Sequence, residues 1–279
     1  SVVQEAEASQ KRINKFLNQK VEIKNGIGVK KSFNGEIVFE NVTLIYPETN
    51  TKALDNLSFK IKAGEKVGIV GKVGSGKSSL LNLINRLYDV DEGRVLIGGS
   101  NIKDLKLNKL RSLIGNVMQN PFLFSESIKD NLLFGKIDAT KEEIEKACKN
   151  AAIHKTINSF KNGYDTILGE RGLTLSGGQI QRVSIARALI KNPQFFLFDD
   201  CLSAVDLDTE NKILKNIKVI CQNKTTIMVS NRISSIKDSD KIFVLENGKI
   251  IETGNHKTLM ENKNYYSHLF NRQQNEKKY

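Results

Sequence analysis

The sequence predicts an α/β fold with a mostly parallel sheet, and two observations support this prediction. Short apolar runs, typical of buried strands, alternate along the chain with segments of helical periodicity. A glycine-rich segment also follows the predicted strand Lys66–Val70 and precedes the apolar helix Ser78–Ile84. In a sheet of this kind, ligands bind at the carboxyl ends of the strands. We therefore expect the functional site at the edge that follows Val70.

The glycine-rich segment is a complete G-x-x-x-x-G-K-S phosphate loop, from Gly71 to Ser78. Its glycines allow backbone N–H groups to converge on an anion, and the next helix adds its positive end. Lys77 would reach the β- and γ-phosphates of a triphosphate, and the Ser78 hydroxyl would ligate Mg²⁺. An ordinary glycine-rich turn is the alternative, which the flanking strand and helix disfavour. The predicted nucleotide contacts here are Gly71, Val73, Gly74, Ser75, Gly76, Lys77, Ser78 and Ser79.

The remaining elements follow from periodicity and turn residues. Further strands are predicted at 36–42, 54–61, 93–97, 113–119, 195–198, 225–230, 241–245 and 249–253. Helices are predicted at 1–18, 128–134, 141–152, 154–160, 208–221 and 257–271, with a linker rich in Lys, Gly and Asn at 19–34. The globular part thus begins near Gly35, and a helical insert extends from Asn120 to about residue 190.

Composition narrows the class of protein. The chain has 279 residues with a net charge of +12, and its lysines are scattered among acids and asparagines. We interpret this charge as a solvated surface that faces anionic lipid, since no Arg-rich stripe with aromatic residues indicates nucleic-acid binding. No apolar run approaches the ~20 residues that span a bilayer, and no signal peptide is visible, so we expect a soluble chain. Three widely spaced cysteines favour a reducing compartment over a disulfide framework.

Two further motifs point to a particular class of ATP-dependent protein. Asp199 follows the apolar run Phe195–Phe198, a pattern that suits a carboxylate holding Mg²⁺ through water beside the phosphates. The second motif, Leu175-Ser176-Gly177-Gly178-Gln179, matches letter for letter the signature of ATP-binding cassette (ABC) transporters. From Gly35 to its tail, the chain resembles the nucleotide-binding domain of that family.

The resemblance implies a fold and a set of partners. It implies a P-loop NTPase (RecA-like) core, an N-terminal antiparallel β-subdomain and an α-helical signature subdomain at about 120–190, all within a domain at 35–279. Residues 1–34 would be a helix and linker from the last membrane span, because Ala8–Ile13 resembles that helix in exporters. Gly169–Gly172 resembles a segment that exporters carry and importers usually lack. The implied protein is a multidrug- or lipid-type exporter, with a membrane domain in the same polypeptide, at the cytoplasmic face of the inner membrane.

The resemblance also implies roles for individual residues, with ATP and Mg²⁺ as the bound groups. Tyr46 would stack on adenine, or else be a plain edge aromatic. Gln119 would ligate Mg²⁺ and sense the membrane domain, or else be a surface amide. The segment Ser203–Asp206 would cross the interface with a second nucleotide-binding domain. The residues that would cap the γ-phosphate of the partner's ATP are Ser176, Gly177, Gly178 and Gln179; capping of the following helix by Ser176 is the alternative interpretation and is compatible with this role.

Two positions depart from the family pattern. The residue after Asp199 is usually a glutamate that polarises the attacking water, and here it is Asp200, whose carboxylate sits roughly 1 Å further back. A histidine usually follows the strand that ends at Ser230, and here it is Asn231, which cannot carry a positive charge. The predicted catalytic residues are thus Asp200, Asn231, Gln119 and Lys77.

The two departures fall in one composite site, whereas the signature is intact. This combination resembles the degenerate half of a heterodimeric exporter, which binds ATP tightly, turns it over slowly and lends its signature to a competent partner site. A fully active homodimeric exporter ATPase is the first alternative. A soluble DNA-associated ABC ATPase is the second, and the short insert between Gln119 and the signature disfavours it, because that class carries a very long coiled coil there. We expect no nucleic-acid partner.

Overall fold

The residues that the computed structural model describes, 2–19, 21–28, 35–169 and 175–276, form two β-sheets with helices packed around them. The strands are β1 (Ile37–Tyr46), β2 (Thr51–Ile61), β3 (Lys66–Gly71), β4 (Glu92–Ile97), β5 (Ser100–Asn101), β6 (Ile114–Val117), β7 (Phe195–Asp199), β8 (Thr225–Val229), β9 (Lys241–Glu246) and β10 (Lys249–Gly254). The helices are α1 (Val2–Leu17), α2 (Lys77–Ile84), α3 (Leu107–Ser112), α4 (Ile128–Leu133), α5 (Lys141–Asn150), α6 (His154–Ser159), α7 (Gly177–Ile190), α8 (Leu207–Ile220), α9 (Ile233–Ile236), α10 (His256–Glu261) and α11 (Tyr265–Glu276).

The larger sheet has the strand order β10-β9-β3-β8-β7-β6, in which β10 is antiparallel to β9 and the other pairs are parallel. The smaller sheet is antiparallel, with the order β2-β1-β4-β5. This architecture confirms the predicted fold class, a P-loop NTPase core with an N-terminal antiparallel sheet. Since β3, β7 and β8 are parallel neighbours, the loops that follow Gly71, Asp199 and Val229 lie at one edge.

Strand β7 shows how the core fixes this edge. Phe195 and Leu197 pack in the apolar cluster shared with α2 and the smaller sheet, whereas Phe196 and Phe198 pack in the cluster shared with α7 and α8. All four side chains are fully buried. Successive side chains of a strand point to opposite faces, so a continuous apolar run suits a strand that is covered on both faces. Packing on both sides therefore holds Asp199, the last residue of β7, in place.

Several element boundaries differ from the prediction, and three of the differences concern the site or the tail. Strand β6 ends at Val117, so Gln119 lies in the loop beyond it. Strand β1 continues past Val42 to Tyr46, across a shift in its pairing with β2. The helix expected at 257–271 is divided into α10 and α11, because Lys263 has a left-handed φ of 54° that an α-helix cannot pass through.

Helix α1 contributes no buried side chain to the domain. Its apolar residues Val2, Val3, Phe16 and Leu17 are all at least 70% exposed. Within the described parts of the chain, no helix combines the length and the apolar character needed to cross a membrane.

The segment 21–28, which was predicted as a linker, is docked on the domain. The N–H groups of Gly26 and Gly28 donate to the carbonyl oxygens of Leu105 (3.3 Å) and Asp104 (3.0 Å). Arg86 donates from Nη2 to the carbonyl oxygen of Lys24 over 2.8 Å. Arg86 lies two residues beyond the end of α2, so this linker contacts the same structural unit that begins at the phosphate loop.

Candidate nucleotide-binding site

The phosphate loop connects β3 to α2, as predicted, and two of its glycines shape the backbone. Gly74 and Gly76 have φ angles of 79° and 98°, which glycine adopts at little cost. A Cβ atom on Gly76 would lie 2.4 Å from the carbonyl oxygen of Ala53 in β2, so a larger residue would not fit. The loop thus curls tightly against β2 and delivers the positive N-terminal end of α2 to the sheet edge.

Two buried polar side chains of the loop fit an anionic ligand. Lys77 is 8% exposed, and its Nζ donates to the carbonyl oxygens of Gly71 (2.8 Å) and Lys72 (2.7 Å). Burial lowers the pKa of Lys77, while the nearby carboxylates of Asp200 and Asp199 raise it. Among the described side chains, the buried Oγ of Ser75 has no hydrogen-bond partner, which is costly unless a ligand supplies one. A triphosphate would offer acceptors to both groups.

Ser78 and Asp199 come together beside this loop, and their oxygens suit Mg²⁺. Burial, the largest effect, raises the pKa of Asp199, whereas the nearby hydroxyl of Ser78, an exposed residue, lowers it. The pair fits a magnesium ion bound directly by Ser78 and through water by Asp199. Gln119 is exposed in the loop after β6, at the same sheet edge, and its role as a third ligand stays a prediction.

Asp200 and Asn231, the two predicted departures from the family pattern, are in direct contact. Nδ2 of Asn231 donates to Oδ2 of Asp200 over 2.9 Å, and the Asn231 backbone N–H donates to Oδ1 over 3.3 Å. The Ser230 hydroxyl adds a longer bond to Oδ1 of 3.5 Å. Asp200 is only 8% exposed and has a left-handed φ of 41°, which costs a residue with a side chain some strain. Both carboxylate oxygens are thus engaged by the 230–231 loop.

Tyr46 lies at the end of β1, close to the start of α2. Its hydroxyl donates to Oγ of Ser79 over 2.9 Å, and its ring meets Tyr88 edge-on with centroids 5.0 Å apart. These contacts orient the half-buried ring beside the first turn of α2. Stacking of this ring on adenine stays a prediction.

The signature segment forms the N-terminus of α7, and the predicted cap is confirmed. Oγ of Ser176 accepts from the N–H of Gln179 (3.3 Å), and Oε1 of Gln179 accepts from the N–H of Ser176 (2.8 Å), which is a capping box. The side chain of Gln179 is therefore used within the cap. A Cβ atom on Gly178 would lie 2.6 Å from the carbonyl oxygen of Ala204, so this glycine permits the close approach of the predicted interface loop. Contact of Ser176, Gly177 and Gly178 with a γ-phosphate stays a prediction.

Comparison with known protein families decides what kind of domain this is. The family model of ABC transporters matches residues 54–203, which is more than half of the chain. The chain belongs to the ABC transporter family. In this family, such a domain binds ATP and hydrolyses it, which agrees with the phosphate loop, the buried Lys77 and the Ser78–Asp199 pair.

Two relatives and one solved structure show which ABC proteins this domain is similar to. YgaD of Bacillus subtilis, named as a multidrug export ATP-binding/permease protein, is 47% identical over 236 residues, which are 85% of this chain and 41% of YgaD. A Staphylococcus aureus protein with the same type of name is 42% identical over 257 residues, 91% of this chain and 44% of that protein. A bacterial Atm1-family ABC exporter with ATP bound superposes with a TM-score of 0.90 at 36% identity, over 97% of this chain and 48% of the exporter. The chain spans less than half the length of each.

Gln181, in α7, connects the Gln119 loop to the predicted interface loop at 203–206, and this connection was not predicted. The side chain is 5% exposed. Its Nε2 donates to Oγ of Ser203 (3.2 Å) and to the carbonyl oxygen of Gln119 (3.5 Å), and its Oε1 accepts from the N–H of Ala204 (3.1 Å). Gln181 lies two residues after the signature segment, and the sequence carries no signal for these distant partners.

One predicted feature of the ABC domain lies mostly outside the described residues. Gly169 is described, whereas Glu170, Arg171 and Gly172 of the segment that resembles exporters are not. The interpretation of that segment therefore stays a prediction.

Proposed function

We propose that this chain is the ATP-binding domain of an ABC exporter and that it closes on a second such domain around two ATP molecules to drive export. The observation that supports the proposal is the presence, in one chain, of two glycine-containing turns that each lead into a helix N-terminus, a geometry that suits an anion, and that have different surroundings. The phosphate loop packs against β2 and the β9–β10 turn, where the N–H of Gly248 donates to the carbonyl oxygen of Ser75 (3.2 Å). The signature turn packs against Ala204. On this proposal, ATP on one chain's loop is completed by the partner chain's signature.

Each residue then has a defined task in the cycle. Tyr46 stacks on the adenine, and the loop around Lys77 binds the β- and γ-phosphates. Ser78, Asp199 and Gln119 hold Mg²⁺, which neutralises charge on the phosphates when bound. Loss of the γ-phosphate removes the contact that joins Ser176 to the other chain's nucleotide, so the two domains separate.

We further propose that the chain's own ATP site turns over slowly and that the partner is a different chain with a competent site. The support is the Asp200–Asn231 pair. The side chain of Asp200 is one methylene shorter than that of glutamate, and both of its carboxylate oxygens already accept hydrogen bonds from Ser230 and Asn231. A homodimer in which Asp200 acts as the base is the alternative.

A membrane domain of the same polypeptide is the second proposed partner, which would place this domain at the cytoplasmic face of the inner membrane. The named relatives are ATP-binding/permease proteins more than twice the length covered here. A groove of about 350 Å³ lies next to the Gln119 loop, and it is lined in part by the exposed apolar side chains of Leu87, Met118 and Phe134. We infer that a helix of the membrane domain occupies this groove and that Gln119 senses it.

Titration with Mg·ATP and phosphate release test the nucleotide chemistry. The purified chain is expected to bind Mg·ATP by calorimetry, and Lys77→Ala is expected to abolish binding without unfolding the protein. Hydrolysis by the chain alone should be slow. Turnover at about ten per second or faster, abolished by Asp200→Asn, would contradict the slow-site proposal and favour the homodimer.

Light scattering during gel filtration tests the proposed closure. With Mg·ATP present, the wild-type chain or a mixture with its partner should shift to a dimer. Ser176→Arg should prevent the shift because its bulk blocks the anion turn, yet Mg·ATP binding should persist at the intact phosphate loop. If Ser176→Arg dimerises as the wild type does, the signature does not act across an interface.

A further inference from the structure

The tail helix α11 contacts the loop that carries Asn231, 42 residues earlier in the chain. Nε2 of Gln273 donates to the carbonyl oxygen of Asn231 over 2.7 Å. The N–H of Ile233 donates to Oε1 of the same side chain over 2.9 Å. One amide group therefore satisfies the backbone on both sides of Arg232, so it fixes the path of the chain as it leaves Asn231.

Helix α11 is attached to α10 and β10, so the backbone of Gln273 is held in place. Tyr266, in its first turn, is fully buried, and its hydroxyl lies 2.8 Å from Nδ1 of His256 in α10. The Tyr266 backbone N–H donates to Oε1 of Glu252 in β10 over 3.0 Å. These contacts tie α11 to the edge of the larger sheet.

The loop after β8 is also held by several other hydrogen bonds. Gln273 bonds two further backbone groups of this loop, the carbonyl of Asn231 and the N–H of Ile233. The N–H of Ser230 donates to the carbonyl oxygen of Ile69 (3.1 Å), and the Arg232 side chain donates to Glu210 (2.5 Å) and to the carbonyl oxygen of Ser203 (3.1 Å). Asn231 itself is exposed. Its side chain bonds to Asp200, and its carbonyl is held by Gln273.

We propose that Gln273 is a positioning residue for ATP hydrolysis: from α11 it holds the backbone of Asn231 and Ile233, and so sets where the Asn231 side chain meets the terminal phosphate. The inference rests on the proposed function and adds to it that Asn231, which follows β8 at the sheet edge beside Asp200, donates toward the γ-phosphate. Displacement of about 1 Å in a group that acts on a reacting atom can change a rate up to ~10²-fold, so a loose loop should slow hydrolysis. Any ligand or partner that shifts α11 would then alter hydrolysis without touching ATP.

The test compares Gln273→Leu, which removes both bonds, with Gln274→Leu, a matched change at the adjacent exposed glutamine of the same helix. Gln273→Glu is the informative intermediate, because its carboxylate still accepts from Ile233 but cannot donate to Asn231. The measurements are Mg·ATP affinity, single-turnover phosphate release, which resolves slow sites, and hydrogen exchange at the Ile233 amide.

For Gln273→Leu we expect about a tenfold fall in the single-turnover rate, unchanged Mg·ATP affinity and at least tenfold faster exchange at Ile233. Gln273→Glu should keep much of the Ile233 protection but lose rate, whereas Gln274→Leu should match the wild type. In an Asn231→Ala background, Gln273→Leu should cost no further rate, because the side chain it positions is gone.

The positioning role is overturned if Gln273→Leu and Gln274→Leu show equal rates and equal Ile233 exchange, or if the loss persists in full without the Asn231 side chain. Failure of the proposed function looks different. In that case wild-type protein and Lys77→Ala behave alike in Mg·ATP binding and phosphate release. Where wild-type turnover is too slow to follow, the test is how far Mg·ATP slows hydrogen exchange at the Ile233 amide. Slowing in the wild type that is lost in Gln273→Leu supports the positioning role. Equal slowing in both proteins overturns it.

Discussion

Asn231 donates from Nδ2 to the carboxylate of Asp200 over 2.9 Å, so the two residues that depart from the ABC pattern form one hydrogen-bonded unit. They are 31 residues apart in the chain and meet because β7 and β8 are adjacent parallel strands whose ends, Asp199 and Val229, are in register. Neighbours that share a bond of this kind are expected to respond to substitution together rather than independently.

Lengthening the carboxylate should speed the slow site. We expect Asp200→Glu to raise the rate of phosphate release at saturating Mg·ATP about tenfold to a hundredfold, because the added methylene advances the carboxylate toward the attacking water. Asn231→His restores a group that can carry charge. In the double variant, the gain in the logarithm of the rate should exceed the sum of the gains in the two single variants.

Asp200→Asn is the matched control, since it keeps the size of the side chain but removes the carboxylate, and it should show no gain. Glutamate tolerates the left-handed backbone of position 200 less well than aspartate, so the thermal midpoint of each variant must be measured alongside. A fully folded Asp200→Glu that binds Mg·ATP normally but is no faster than wild type would show that carboxylate reach does not limit the rate.

The ring of Tyr46 should matter more than its hydroxyl. Tyr46→Phe removes only the bond to Ser79 and should leave Mg·ATP affinity within about threefold, because a neutral hydrogen bond contributes little net free energy. Tyr46→Ala removes the stacking surface and should weaken binding about tenfold to a hundredfold, the scale of base–aromatic stacking. Calorimetric titration with Mg·ATP checks both. Wild-type affinity in Tyr46→Ala would assign the ring to packing against Tyr88 instead.

Docking of the linker at 21–28 should depend on Gly26. A Cβ atom there would lie 2.4 to 2.6 Å from the backbone of Asp104 and Leu105, so Gly26→Ala must push the segment away. Loss of about 1 to 2 kcal/mol of docking free energy should speed tryptic cleavage after Lys24 roughly 5- to 30-fold. Ile27→Ala, at a side chain that is 92% exposed, should leave cleavage unchanged. Equal rates in the two variants would mean that the segment is not held by this contact.

The attachment of the tail should weaken in mild acid. Burial, together with Lys237, lowers the pKa of His256, while Asp238 acts in the opposite direction. As the pH falls, His256 is therefore protonated at a higher pH in the unfolded chain than in the folded protein. The stabilising contribution is complete above about 6.5, the ordinary histidine pKa, and is lost as the pH falls through the lower folded value.

Denaturant titration followed by circular dichroism, at pH 7.5 and at pH 5.5, measures this loss as a fall in the unfolding midpoint. His256→Gln keeps a polar partner for Tyr266 but does not titrate, so its midpoint should fall less than that of the wild type. His268→Gln, at an exposed histidine, is the control and should behave as the wild type does. The same fall in all three proteins would assign the acid sensitivity to other groups.

Much of the fold and part of the site were predictable. The strand run Phe195–Phe198 and the loop from Gly71 to Ser78 are local patterns, and both appear where the residues indicate. The ends of several strands and helices were predicted less accurately. Gln119 lies beyond its strand rather than at the end of it, and the tail helix breaks at Lys263, where no glycine or proline marks the break.

Local residue order was enough to establish the phosphate loop, the cap at Ser176, the α/β alternation and membership of the ABC family, because each depends on residues that are neighbours in the chain. Only the tertiary structure showed two other sets of contacts. Asn231 bonds to Asp200 and to Gln273, and Gln181 bonds to Gln119 and to Ala204. Strand register and helix packing create such contacts, and local sequence patterns do not show which residues 23 to 62 places apart come together.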